Sequence, residues 1–170
     1  MDIKKYISFL ESYLESNNSP IYHLTNIYSL YDILLENILK RSNFDNLFNN
    51  KTAKIISFTR NPKLDLSHYR IDINTIIEID TFRLKSDYKI IPYDFFIHNK
   101  KEKNQKWNTN REEPFEYEEI VLKDIINIKK YILSINFVED SIFSPLFPKV
   151  CDILDENKIK ILINGKEGIL

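Results

Sequence analysis

Two glycines in 170 residues, Gly165 and Gly168, both near the C-terminal end, constrain this chain more than any other feature. Folds that cradle phosphates on backbone amides need glycine where the chain turns tightly against the ligand, as in the P-loop and the G-x-G-x-x-G turn. Both are excluded here. What remains is a chain of recurring apolar patterns, 43% hydrophobic and 13% aromatic, which reads as globular rather than disordered. Its length fits one domain, since domains run to about 100–200 residues.

The formal net charge of −1 argues against a surface given over wholly to nucleic acid or membrane, so any such contact must be local. One cysteine, Cys151, rules out an intrachain disulfide and a cysteine-rich zinc site. Three scattered histidines offer no metal-ligand spacing, so no metal is expected. The N-terminus, Met1-Asp2-Ile3-Lys4-Lys5-Tyr6, lacks the apolar run of about 7–15 residues that a secretory signal requires. No stretch reaches the roughly 18 apolar residues of a membrane span. A cytoplasmic protein with no membrane partner is the expectation.

Ile3, Tyr6, Ile7, Leu10 and Leu14 fall at helical spacing and predict an amphipathic helix over 2–15, ended by Asn17-Asn18-Ser19-Pro20. Ile21-Tyr22-His23-Leu24-Thr25 reads as a short strand. Asn26 or Ser29 can then cap a helix carrying Ile27, Leu30, Leu34 and Ile38. Residues 41–53, rich in asparagine and without periodicity, read as a polar loop before a strand over 54–59, closed by Asn61-Pro62. Further strands are expected at 75–81, 88–96, 118–122, 131–138 and 159–164. Pro145 and Pro148 should break the chain before a short helix around 150–156. The fold class is therefore α+β, in a single domain over 1–170: an N-terminal helix within 1–18, a core over 20–138, and a C-terminal helix and strand over 139–170.

Three segments place polar residues where the chain otherwise alternates apolar ones. His23 and Thr25 share one face of their strand and offer donors and acceptors for vicinal diols, beside a helix N-terminus that favours an anionic pyrophosphate. Read blandly, His23 is a core histidine bonded to a backbone carbonyl. Ser57 and Thr59 likewise share a face, and Arg60 follows with a planar fork suited to phosphate, although a salt bridge explains it too. Glu116 and Glu118 lie two residues apart, so on a strand they share a face while Tyr117 and Glu119 point away. Side-by-side carboxylates repel one another and often mark a site that stabilises positive charge. A charge-rich edge after Arg111-Glu112-Glu113-Pro114 is the plainer account.

In order, these segments carry a resemblance. Tyr22-His23-Leu24-Thr25-Asn26-Ile27, followed by Leu30, Ile33-Leu34 and Leu39, resembles the opening His-x-Thr strand and first helix of ADP-ribosyltransferases, including their DNA-targeting toxin branch. Ser57-Phe58-Thr59 resembles the Ser-x-Thr signature of that superfamily, and Glu116-Tyr117-Glu118 its late Glu-x-Glu element. The resemblance spans about 20 to 138. Two departures are plain: Leu24 stands where the poly-ADP-ribosyl branch has glycine, and His23 where the arginine-modifying toxins have arginine.

The resemblance implies a split β-sheet core with N-terminal helices and NAD as substrate, with no metal. It assigns Glu118 to the nicotinamide ribose and the oxocarbenium-like transition state, and Glu116 to the acceptor nucleophile. His23 and Thr25 would hold the ribose, Ser57 and Thr59 would support Glu118 and the nicotinamide side, and Arg60 would meet the pyrophosphate. The loop with Lys100, Lys101, Lys103, Lys106 and Trp107 stands where the superfamily contacts its acceptor, a protein or nucleic acid. A mono-ADP-ribosyltransferase is the expected function. The Asn-, Ile- and Lys-rich composition suits an AT-rich phage or mobile element, where such enzymes serve conflict with a host. The alternative is a non-catalytic module on the same scaffold, binding protein or nucleic acid through the basic loop over 100–111. An RNA-processing phosphotransferase on a related fold ranks last, because the Glu-x-Glu element would have no obvious part there.

Overall fold

A computed structural model describes residues 18–46, 51–60, 73–93 and 118–167. In chain order the elements are β1 (Ile21–Thr25), α1 (Ile27–Glu36), β2 (Ile38–Leu39), β3 (Ser42–Asn46), β4 (Lys51–Thr59), β5 (Thr75–Ile79) and α2 (Thr81–Asp87). There follow β6 (Ile91–Tyr93), β7 (Glu118–Val121), β8 (Ile125–Ile126), β9 (Ile132–Phe137), α3 (Phe147–Glu156), β10 (Lys160–Ile163) and β11 (Lys166–Glu167). The architecture is α+β, a nine-stranded sheet in the order β11-β10-β9-β5-β1-β4-β7-β6, with β3 paired to β4. Among the described strands only β9 and β10 run parallel; the other pairings in the sheet are antiparallel.

Residues opposite one another in these pairings share a face, which sorts the sheet into two sides. Ile21, Phe58, Ile77, Ile79, Val121, Ile135, Phe137 and Ile161 fall on one side and form the core with Leu30 and Leu34 of α1, Leu84 of α2 and Leu154 of α3. Each such side chain, fully removed from water, contributes about 1.5–3 kcal/mol. Across the other side runs a polar row: Thr59 opposite Tyr22, Tyr22 opposite Glu78, Glu78 opposite Ser134.

The scarcity of glycine shows in the turns. Asn37, Asn127 and Asn164 hold positive φ of 54°, 57° and 50°, a region that asparagine tolerates better than most residues. Asn37 ends α1, donating its backbone N–H to the Ile33 carbonyl. Its side chain accepts from Lys129 N–H at 3.1 Å and donates to Asn127 Oδ1 at 3.3 Å. Two left-handed turns are thereby tied together beside the small β2–β8 ladder.

Several expectations change. Ile38 belongs to β2 and not to the helix, because Asn37 turns the chain first. The polar loop over 41–53 is a hairpin, with Ser42 opposite Ile55 and Phe44 opposite Ala53. Arg41, Ser42 and Asn43 are exposed, so no apolar alternation announced that strand. The strand expected at 75–81 stops at Ile79, where Asp80 caps α2 by accepting from Arg83 N–H. Pro148 does not precede α3 but sits in its first turn, where its missing N–H costs nothing. The helix over 2–15 lies outside the described residues, as do positions 94–96 of the strand expected at 88–96.

Candidate functional site

β1 and β4 are paired at one position only, Tyr22 with Thr59. Beyond it lies a cavity of about 630 Å³, lined by the consecutive residues Tyr22 to Thr25 of β1 and Ser57 to Thr59 of β4. A pocket on one face of a sheet would touch alternate residues. Consecutive ones place this cavity in the gap between the two strands. Its far wall is α1 and its cap, through Asn26, Ser29, Asp32, Ile33 and Glu36, with Ile38, Leu39, Lys40, Ser42 and Ile73 completing it.

His23 bridges the gap. Its Nδ1 lies 2.9 Å from the Ser57 carbonyl, and its ring meets Phe58 edge-on with centroids 5.8 Å apart. A carbonyl only accepts, so Nδ1 carries the hydrogen and Nε2 is the acceptor of the neutral ring. Burial pulls the His23 pKa below its ordinary value, partly offset by the bond to Ser57, so the imidazole is neutral near pH 7. The bland reading of His23, a histidine held by a backbone carbonyl, and the cavity-lining one are both true of it. Tyr22 remains a phenol, its pKa raised by burial and by Glu78.

Four predicted residues, His23, Thr25, Ser57 and Thr59, therefore meet in one cavity. Strand alternation puts His23 and Thr25 on the core side and Ser57 and Thr59 on the other, and they converge only because the strands part. The backbone of Glu118 lies opposite Thr59, one strand beyond the cavity. Glu116, Lys100, Lys101, Lys103, Lys106 and Trp107 lie outside the described residues.

Arg60 is placed elsewhere. Its Nε donates to Glu119 Oε1 at 2.5 Å, with side chains 8% and 1% exposed. Its Nη1 donates to the Ser19 carbonyl at 2.8 Å and to Ser19 Oγ at 2.7 Å. Among the described residues Arg60 Nη2 and Glu119 Oε2 have no partner, so the fork makes one of its two possible bonds to the carboxylate. Burial lifts the Glu119 carboxyl above the usual carboxylate range, against the pull of Arg60. Glu119, expected to point away from the acidic pair, is the residue that sequence reasoning undervalued. The observed register, with Phe58 opposite Glu119, puts Arg60 and Glu119 on the core side together.

The anionic-ligand expectation for the helix N-terminus also needs revision. Ile27 N–H donates to Asn74 Oδ1, Ser29 N–H to Asn26 Oδ1 and Leu30 N–H to the Asn26 carbonyl, so three of the first four amides are already satisfied. The charged residues lining the cavity among those described are Asp32, Glu36 and Lys40, and Lys40 is paired with Glu36 at 2.5 Å. Such a wall accepts hydrogen bonds from hydroxyls and tolerates a cation; it does not attract a polyanion.

Among the described residues no group of histidine, cysteine and acidic side chains is placed to hold a metal, and no helix is long and apolar enough to cross a membrane. No protein-family model, curated protein or solved structure matches this chain.

Proposed function

We propose that this chain is a mono-ADP-ribosyltransferase that cleaves NAD and transfers ADP-ribose to a macromolecular acceptor, protein or nucleic acid. The observation that carries the reading is the meeting of His23, Thr25, Ser57 and Thr59 in one cavity beside the strand of Glu118. The single paired position between β1 and β4 supports the reading, since the resemblance implies a split sheet.

The nicotinamide riboside half of NAD suits this cavity. It is a cationic glycoside with two free ribose hydroxyls, and the lining combines hydroxyls, the neutral His23 acceptor and the carboxylates of Asp32 and Glu36. The pyrophosphate belongs outside, since Arg60 is committed to Glu119 and the first amides of α1 are taken. Cleavage builds positive charge on the ribosyl carbon, and Glu118 is the carboxylate assigned to stabilise it. Such a group acts chiefly on the transition state, so its loss lowers kcat more than it raises KM. The basic loop with Trp107 is the proposed acceptor reader.

Nicotinamide release from NAD, followed chromatographically with and without a cell extract, tests the reading. Turnover that falls by about 10²–10³ in Glu118→Gln supports it. Absence of turnover with every extract overturns it. Salt-sensitive binding to nucleic acid or protein that survives Glu118→Gln and is lost when the loop lysines are neutralised points instead to a non-catalytic module.

A further inference from the structure

Three buried isoleucines stand apart from the core. Ile55 at 0%, Ile76 at 5% and Ile120 at 0% exposure lie on the sheet face that carries Tyr22, Thr59 and Glu78, and they do not pack with the cluster that the helices complete. The buried apolar residues of α1, α2 and α3 all belong to that cluster, on the opposite face. A side chain on a bare sheet face stays partly in water, so this second face is covered, and among the described residues no helix covers it.

The strand order points to what does. Four connections join parallel strands of the sheet: β4 to β5, β5 to β6, β7 to β9 and β9 to β10. The last three place Leu84, Ile128 and Val150, respectively, in the core, so they pass on the core side. Viewed from that side with the starting strand pointing up, all three step the same way along the sheet. They therefore share one hand, as connections of this kind do in about 98% of cases. The step from β4 to β5 goes the opposite way, so the same hand takes it over the second face. It also crosses β1, which lies between the two strands: Ile73, just before β5, lines the cavity on the β4 side of β1.

We propose that residues 61–72, the part of the β4–β5 connection outside the described residues, pack across the second face and form the apolar layer over Ile55, Ile76 and Ile120. Their sequence suits this. Leu64 and Leu66 alternate with Lys63, Asp65 and Ser67, and Ile71 follows, so an extended stretch offers one apolar side. The amphipathic segment over 2–15 has an apolar stripe too, but it joins the sheet through Ser19 at the end of β1, and no rule of connection directs it to either face. The inference does not depend on the NAD reading.

Methyl NMR on the full chain tests it. Cross-peaks are expected from Leu64, Leu66 or Ile71 to Ile55, Ile76 or Ile120. In Leu64→Ser/Leu66→Ser the methyl signals of the three isoleucines should shift while those of Ile77 and Ile135, on the core side, stay in place. Isoleucines that meet side chains of 2–15 or 94–117 in place of 61–72 overturn the proposal, as do second-face signals unmoved by the double variant. Should that variant fail to fold, the wild-type cross-peaks decide alone.

Discussion

Along β4 the border with β1 is paired at a single position, whereas the border with β7 is paired at four and sealed by the Arg60–Glu119 ion pair. On the first side a histidine ring stands in for backbone bonds, and a cavity of about 630 Å³ opens beside it. One strand thus serves as the lip of a cavity and as the fixed seat of the acidic segment. A sheet that opens for a ligand on one side of a strand needs the other side held more firmly than hydrophobic burial alone would hold it.

The largest expected effect comes from the sealed border. Arg60→Met leaves Glu119 buried without its cation and should lower stability by about 3–5 kcal/mol in denaturant unfolding, while Arg60→Met/Glu119→Leu should recover most of that. Equal stabilities of the single and double variants would show that the pair is not sealed. On the open border His23→Ala removes one donor and leaves the Ser57 carbonyl unsatisfied, at a cost of about 1–3 kcal/mol. A loss as large as that of Arg60→Met would erase the contrast between the borders.

A third test uses pH. Because burial holds the His23 pKa below its ordinary value of 6.5, the folded state favours the neutral ring. Its contribution is complete above pH 6.5 and is lost as pH falls through the lowered folded value. Thermal melts of the wild type and His23→Gln should therefore converge as the medium is acidified from neutrality, and parallel curves would contradict the buried neutral ring. The smallest effect is expected at Asp32→Asn on the cavity's outer wall. Stability should stay within about 0.5 kcal/mol while NAD binding, read by calorimetry, changes modestly. A large loss of stability there would mean that the wall is structural.

Much of this was legible in the sequence, for reasons that differ by element. β1, β5 and β9 carry apolar residues on a half-buried sheet, and Asn26 announced α1 as its cap. α2 escaped because it buries only Thr81 and Leu84, too few positions to show a helical period. β3 escaped because its first positions are exposed. At the candidate site, the grouping of His23, Thr25, Ser57 and Thr59 followed from the order of their segments. The burial of Glu119 did not, because run of two glutamates gives no hint of which one the fold takes inside. Its partner in the fold, Arg60, stands fifty-nine residues earlier in the chain.

The strand order also dictates when the cavity can exist. β1 is among the first described elements of the chain, yet it is held by β5, where Thr25 meets Thr75, and β5 in turn by β9, where Thr75 meets Phe137. Pairings so distant in sequence close large loops before they return any stabilisation, which places the domain among slow-folding topologies. A nascent chain that has produced β1, α1 and β4 holds nearly every residue of the cavity wall but not the strand that fixes β1 in place. The cavity therefore arrives late and all at once, with the completed sheet.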